Sequence, residues 1–293
     1  MSRLRRAVLI LPGGNRHMAE KAAGLPADQV ILDLEDAVPP VASEKVAARA
    51  QVLRVLQEVD FGERLVSVRA NPVGSELGRA DLRALAGAGA SLGSVVLPKV
   101  ESAEEVSLAA SLLPGPGGAT APGLEAQIES PAGLEAVAEI AAATPRLEAL
   151  IFGPGDFAAA MGMPQLVIGA GAVDYPGDLW HYARFRIAVA ARARGLQVID
   201  GPCSDIADLA GLERSARSAA ALGLDGMWAI HPSQLATIRR AFTPGPEQVE
   251  RARQVLAALE ARGGAARLEG EMIDEAHRRM AQAVLARAGE ESQ

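Results

Sequence analysis

"QVILDLEDAVPP", residues 29–40, is an apolar run of the kind that forms a strand covered on both faces. Yet it carries Asp33 inside it and closes on Glu35 and Asp36. Acids in such a place cost free energy unless something pairs with them. Strand side chains alternate faces. Val30, Leu32 and Leu34 share one parity, Asp33 and Glu35 the other. "RLVSVRAN" (64–71) divides in the same way, Val66 and Val68 against Ser67, Arg69 and Asn71. So does "LEAQIES" (124–130), Ala126 and Ile128 against Glu125, Gln127 and Glu129. In a closed barrel the outward residues touch helices and are apolar, so the polar set points inward. It gathers toward the C-terminal strand ends, where barrel enzymes keep their sites. A purely structural ion-pair network is the alternative.

The rest of the chain supplies the other strands. "AVLILP" (7–12), "GSVVLPKV" (93–100), "ALIFGP" (149–154), "LQVIDGP" (196–202) and "GMWAIHP" (226–232) bring the count to eight, with Ala-, Leu- and Glu-rich helical stretches between them. Eight strands each followed by a helix, over about 240 residues, predict an α/β protein built as a (β/α)8 TIM barrel rather than an open sheet. We place the barrel at residues 1–245. A C-terminal helical extension follows at 246–293: a helix at Glu247–Arg262, a Gly-rich break, and a last helix after "EGEMID". "LLPGPGGATAPG" (112–123) reads as a loop, and "MGMPQLVIGAGAVDYPGD" (161–178) as a pocket-shaping loop.

Composition narrows the classes. Of 293 residues 49% are apolar and only 3% aromatic, so Ala, Val, Leu and Ile build the core. Net charge is −7 with no block of like charges, which argues against nucleic acid as a partner. The single cysteine, Cys203, forms no intrachain disulfide and suits a reducing cytoplasm. The opening "MSRLRRAVLILPGG" has an apolar run too short for a signal peptide. No segment approaches the roughly 20 apolar residues of a membrane span.

The chemistry concentrates at strand ends. Glu129 ends strand 5 and Asp156 follows strand 6 in "GPGDF". Two carboxylates at adjacent strand ends reach one cation, and two carboxylates completed by water or substrate oxygens is the usual magnesium arrangement. No His or Cys cluster accompanies them, which excludes a typical zinc site. Glu35 and Asp36 would hold metal-bound waters. Arg69 is an inward fork suited to a carboxylate or a developing enolate oxygen, or to structural pairing with Asp33 or Glu35. Gly153-Pro154-Gly155 either lets backbone approach a ligand or simply turns the chain. Asn15, Arg16 and Lys21 lie near a helix start, favourable to anions, with solvated charge as the alternative. His17 and His231 lack the partners expected of a base.

"LPGGNRHMAEKA", "VILDLEDAVPP", "VRANP", "VVLPKVESAEE", "QIESPAGL", "IFGPGDFAAAMG" and "GMWAIHPSQL" resemble, in order, the motifs of the citrate lyase β-subunit/malyl-CoA lyase family of the HpcH/HpaI aldolase superfamily. The resemblance implies a trimeric or hexameric barrel enzyme. Its activity would be magnesium-dependent cleavage of a 3-hydroxyacyl-CoA, of malyl-CoA or citramalyl-CoA type, to an acyl-CoA and a 2-oxo acid. It implies that Glu129 and Asp156 bind the metal and Arg69 steadies the thioester enolate. Glu35 and Asp36 would serve the metal's outer shell. Arg16 and Lys21, with Lys45, would lie near the CoA phosphates, and Asn15 and Gly155 near the substrate. "EGEMIDEAHRRMAQAVLARA" (269–288) resembles the family's C-terminal segment, in which an Asp, here Asp274, reaches a neighbouring subunit's site as acid/base. Glu275-Ala276-His277 stands where the family pattern has a proline; a helix-capping role is the alternative. A citrate lyase β-subunit acting on an acyl-carrier thioester, and a malyl-CoA thioesterase, are the competing activities.

Overall fold

The computed structural model of the chain describes residues 3–114, 121–164, 166–168, 177–262 and 264–289. Half of each sequence loop, 115–120 of 112–123 and 165 and 169–176 of 161–178, lies outside these residues. Eight parallel strands close in sequence order: β1 Ala7–Pro12, β2 Gln29–Asp33, β3 Leu65–Arg69, β4 Ser94–Leu97, β5 Gly123–Ile128, β6 Leu147–Phe152, β7 Gln197–Asp200 and β8 Gly226–Ala229. Between them run α1 Arg16–Ala22, α2 Ala42–Glu58, α3 Glu76–Leu85, α4 Ala103–Leu112, α5 Pro131–Glu135, α6 Val137–Ile140, α7 Pro154–Ala160, α8 His181–Arg192 and α9 Leu209–Ala221. α10 Leu235–Phe242 follows β8. This is the (β/α)8 barrel that the strand count predicts.

The inward parity is as read within the strands, but Asn71 lies beyond the end of β3 and donates Nδ2 to Asp81 Oδ2 of α3 at 2.7 Å instead of joining the inward set. Registers align Ile31 with Ser67, Asp33 with Arg69, Val96 with Glu125, and Gln127 with Ile151. The interior is layered. At the N-terminal end, Gln29 Nε2 donates to Ser67 Oγ and Glu125 Oε1 at 2.7 Å, and Ser94 Oγ donates to Glu125 Oε1 at 2.6 Å. Arg5 meets the same Glu125. An apolar layer of Val8, Ile31, Val96, Ala149, Ile151, Ile199 and Trp228 lies above. The upper layer is polar again, with Asp33, Arg69, Gln127 and Glu129, all buried.

β2 stops earlier than the apolar run does. Asp33 is the cause: its two carboxylate oxygens accept Glu35 N and Ala37 N, both at 2.9 Å, and turn the chain out of the sheet. Glu35 and Asp36 therefore sit on the turn above the strand.

Cα packing divides the chain into Met1–Arg239 and Arg240–Gln293. The second unit holds α11 Pro246–Arg262 and α12 Glu275–Ala288, with β9 Ala266–Leu268 paired antiparallel to β10 Glu271–Ile273. A β-hairpin, which the sequence reading did not include, thus lies between the Gly-rich break at 263–264 and the last helix. Its two-residue turn has both φ angles positive, Glu269 at 49° and Gly270 at 93°, as a type I′ hairpin requires. Val255, Leu259, Ile273 and Leu285 form this unit's core. None of the described helices is long and apolar enough to cross a membrane.

Candidate active site

The barrel's C-terminal mouth opens into a cavity of about 400 Å³ whose walls include Asp36, Arg69, Gln127, Glu129, Asp156 and Trp228. These residues come from five strands or the turns that follow them, β2, β3, β5, β6 and β8. Asp33 and Arg69 are register partners, and Arg69 donates Nε to Asp33 Oδ1 and Nη2 to Asp33 Oδ2, each at 2.7 Å. The Arg69 Nη1 group lies 3.0 Å from Glu35 Oε2, and Trp228 approaches the guanidinium to 5.6 Å from across the barrel. Burial works against charge on Arg69, but Asp33, Glu35 and Asp36 outweigh it and hold its pKa above the ordinary value.

Glu129 is buried at the end of β5. Its Oε1 accepts Lys99 N at 2.7 Å and its Oε2 accepts Gln127 Nε2 at 2.6 Å. Gly153 makes room for it. A Cβ on Gly153 would stand 2.4 Å from Glu129 Oε2 and 2.5 Å from Glu129 Cβ. Asp156 lies in the first turn of α7 and is partly exposed. Burial first, then the charges of Glu35 and Asp156, push the Glu129 carboxyl up to about 8. Burial also raises Glu35, against the opposing pull of Arg69 and Lys99.

Among the described residues no group of three or more His, Cys, Asp and Glu side chains is arranged to hold a metal. The donor chemistry nevertheless fits a hard divalent ion. Glu129 and Asp156 offer oxygen ligands, and such an ion takes its remaining ligands from water or substrate. Burial and, after it, the neighbouring acids raise Glu129, and a cation relieves the repulsion among those acids. An ammonium already sits among them: Lys99 Nζ is 2.7 Å from Glu35 Oε1 and 3.1 Å from Asp156 Oδ2.

Glu35, Asp36, Arg69, Glu129, Asp156 and Gly155 thus gather at one mouth. Lys45 does not join Arg16 and Lys21 on the surface. It is buried and donates Nζ to Leu34 O and Glu35 O, holding the turn that carries Glu35; the helical spacing of α2 turns it inward. Arg16 is exposed, pairs with Glu20 at 2.7 Å and also contacts Glu58. Asn15 caps α1 by accepting Met18 N at 3.1 Å, and Lys21 is exposed in the helix's last turn. Asp274 lies in the second unit, where Oδ1 accepts Ala276 N at 3.0 Å and His277 N at 3.4 Å and contacts His277 Nδ1 at 2.8 Å. It is the N-cap of α12, and the His277 hydrogen bond holds it below the usual carboxylate range. His231 closes a local turn through Ser233.

Sequence reasoning passed over Lys99, Gln127 and Trp228. Lys99 stood in a quoted motif, "VVLPKVESAEE", but nothing local aims its side chain at β2 and β6. Gln127 had the inward parity and a site neighbour two residues on. Its Oε1 is buried without a hydrogen-bond partner, and the residue lines the cavity.

Fold and mouth define a class: an eight-stranded barrel enzyme with paired carboxylates and an arginine at the C-terminal face. Residues 6–232 match the HpcH/HpaI aldolase/citrate lyase family, and the chain belongs to that family. It is 38% identical to an L-malyl-CoA/beta-methylmalyl-CoA lyase of Cereibacter sphaeroides, over 98% of this chain and 95% of the relative. It is 36% identical to a (3S)-malyl-CoA thioesterase of the same species, over 97% and 94%. Among solved structures, it superimposes on Mycobacterium tuberculosis CitE in complex with magnesium, acetoacetate and coenzyme A. The TM-score is 0.79, with 36% identity over 98% of this chain and 99% of that one.

Proposed function

We propose that this chain is a magnesium-dependent carbon–carbon lyase. It cleaves a 3-hydroxyacyl-CoA of malyl-CoA or citramalyl-CoA type to an acyl-CoA such as acetyl-CoA and a 2-oxo acid. The observation that carries the reading is that Glu129, Asp156 and Arg69 line one cavity at the barrel mouth. The similarity to malyl-CoA lyase along both chains supports the substrate class.

Glu129 and Asp156 would hold the metal, which would supply Lewis-acid polarisation of the substrate's oxygens. Glu35 and Asp36 would stand in its outer shell. Asp33 takes two of the five N–H groups of Arg69 and so fixes the plane of the fork. The remaining hydrogens steady the enolate oxygen that develops as the bond breaks, a charge present only late in the reaction. Asp274 takes the hydroxyl proton, acting on the site of a neighbouring subunit in a cytoplasmic homo-oligomer, a trimer or hexamer, and the enolate held by Arg69 is then protonated at carbon to give the acyl-CoA. Arg16 exchanges its carboxylate partners for CoA phosphate, beside Lys21 and Asn15, and Gly155 lets backbone approach the substrate. Lys45, committed to two carbonyls, is outside this set.

The thioesterase relative supports a second reading, in which water attacks the thioester at the same site. Malyl-CoA, citramalyl-CoA and 3-hydroxy-3-methylglutaryl-CoA, offered separately with Mg2+, decide between them. Trapping of an oxo acid with phenylhydrazine, a 2-oxo acid from the first two substrates or the 3-oxo acid acetoacetate from the third, without free thiol, is the lyase result. Free CoA without oxo acid is the thioesterase result. Neither product from folded, metal-bound protein points to an acyl-carrier thioester, the citrate lyase β-subunit activity.

A further inference from the structure

Lys99 follows β4 and Pro98 with φ at +53°, a left-handed backbone that L-residues other than Asn and Asp rarely adopt. Glycine would take that conformation without strain, so the side chain is what the position uses. Four of the mouth's acids converge on this residue. Its backbone N–H donates to Glu129 Oε1 at 2.7 Å. Its ammonium reaches Glu35 Oε1 at 2.7 Å and Asp156 Oδ2 at 3.1 Å, with Asp36 Oδ1 farther off at 3.8 Å. The Nζ group thus stands against Asp156, one of the two carboxylates that the proposed function gives to the metal. An ammonium and a divalent ion cannot share a carboxylate at such distances without strong repulsion.

We infer that Lys99 is a positioning residue that serves as a resident counter-cation. It holds Asp156 and Glu35 in place when no metal is bound, yields Asp156 to the incoming divalent ion, and remains on Glu35. The inference rests on the metal-site reading above. It predicts that Lys99 opposes metal binding while stabilising the metal-free protein. A residue that only pre-shaped the ligands would have the opposite effect on affinity, since its loss would weaken binding.

Mn2+ titration followed by EPR, with thermal unfolding in parallel, separates these outcomes on wild type, E129Q, K99M, K99Q and K99R. Removing the positive charge in K99M or K99Q should tighten Mn2+ binding by at least about tenfold. Metal-free K99M should melt below wild type and gain more from Mn2+ than wild type does. K99R, which keeps the charge, should bind within about threefold of wild type. Unchanged or weaker Mn2+ affinity in folded K99M and K99Q, with binding abolished in E129Q, overturns the inference alone. Absence of Mn2+ binding by wild type, or wild-type affinity in E129Q, overturns the site reading and the inference with it.

Discussion

Arg69 and Asp33 face each other as register partners on β3 and β2 and share two parallel hydrogen bonds, both 2.7 Å. Both are buried. Replacing Arg69 by Met leaves Asp33 as a buried charge without its main partner, so R69M should lose about 3–5 kcal/mol of stability in urea unfolding. R69K keeps a charge but not a planar fork. It should retain the fold and lose roughly 10²–10³ in kcat, the usual effect of removing an oxyanion donor.

Gly153 is set against Glu129 so closely that a single methyl has no room. The obstacle is the Glu129 carboxylate together with Gln127 Nε2, which lies 2.9 Å from the same Cβ position. G153A should displace Glu129 and weaken Mg2+ binding in calorimetry by at least about tenfold. The stability cost should be about 1–3 kcal/mol, typical of overpacking.

Asp274 separates two roles by substitution. Asn caps helices about as well as Asp. D274N should therefore keep the thermal midpoint near that of wild type while lowering kcat by roughly 10²–10⁴ as an acid/base is lost. D274A removes the cap as well and should lower both. Equal activity of D274N and wild type would assign Asp274 to capping alone.

Cys203 is buried, and burial, then the charge of Asp200, push its thiol up to about 11. At pH 8 a chromogenic disulfide such as DTNB should leave the folded protein untouched and titrate one thiol per chain in denaturant. Between about pH 9 and pH 11 the folded chain keeps a proton that the unfolded chain has lost, so stability should fall as pH rises through that window. A C203A variant should show less of that fall.

The barrel and the parity of its polar residues were legible in the chain. Alternation in "QVILDLED" is a local property, and a strand's two faces are set by its own residues. Asp33 and Glu129 could be named for the same reason, since each ends a strand of known parity, whereas Glu35, Asp36 and Asp156 lie on the turns or helix that follow. Which acid meets which cation was decided by tertiary structure. The fork of Arg69 goes to Asp33 because β2 and β3 align them, and Lys99 reaches β2 and β6 because its backbone turns left-handed after Pro98. Lys45 shows the same limit: the resemblance put it near the CoA phosphates, but α2 presses it beneath the turn at Glu35, where two carbonyls satisfy its ammonium. The hairpin at 266–273 depended on two positive φ angles, one at a glutamate, a conformation that residue type alone does not announce. Period and parity are written into neighbouring residues, whereas register, burial and ion pairing arise only when distant segments meet.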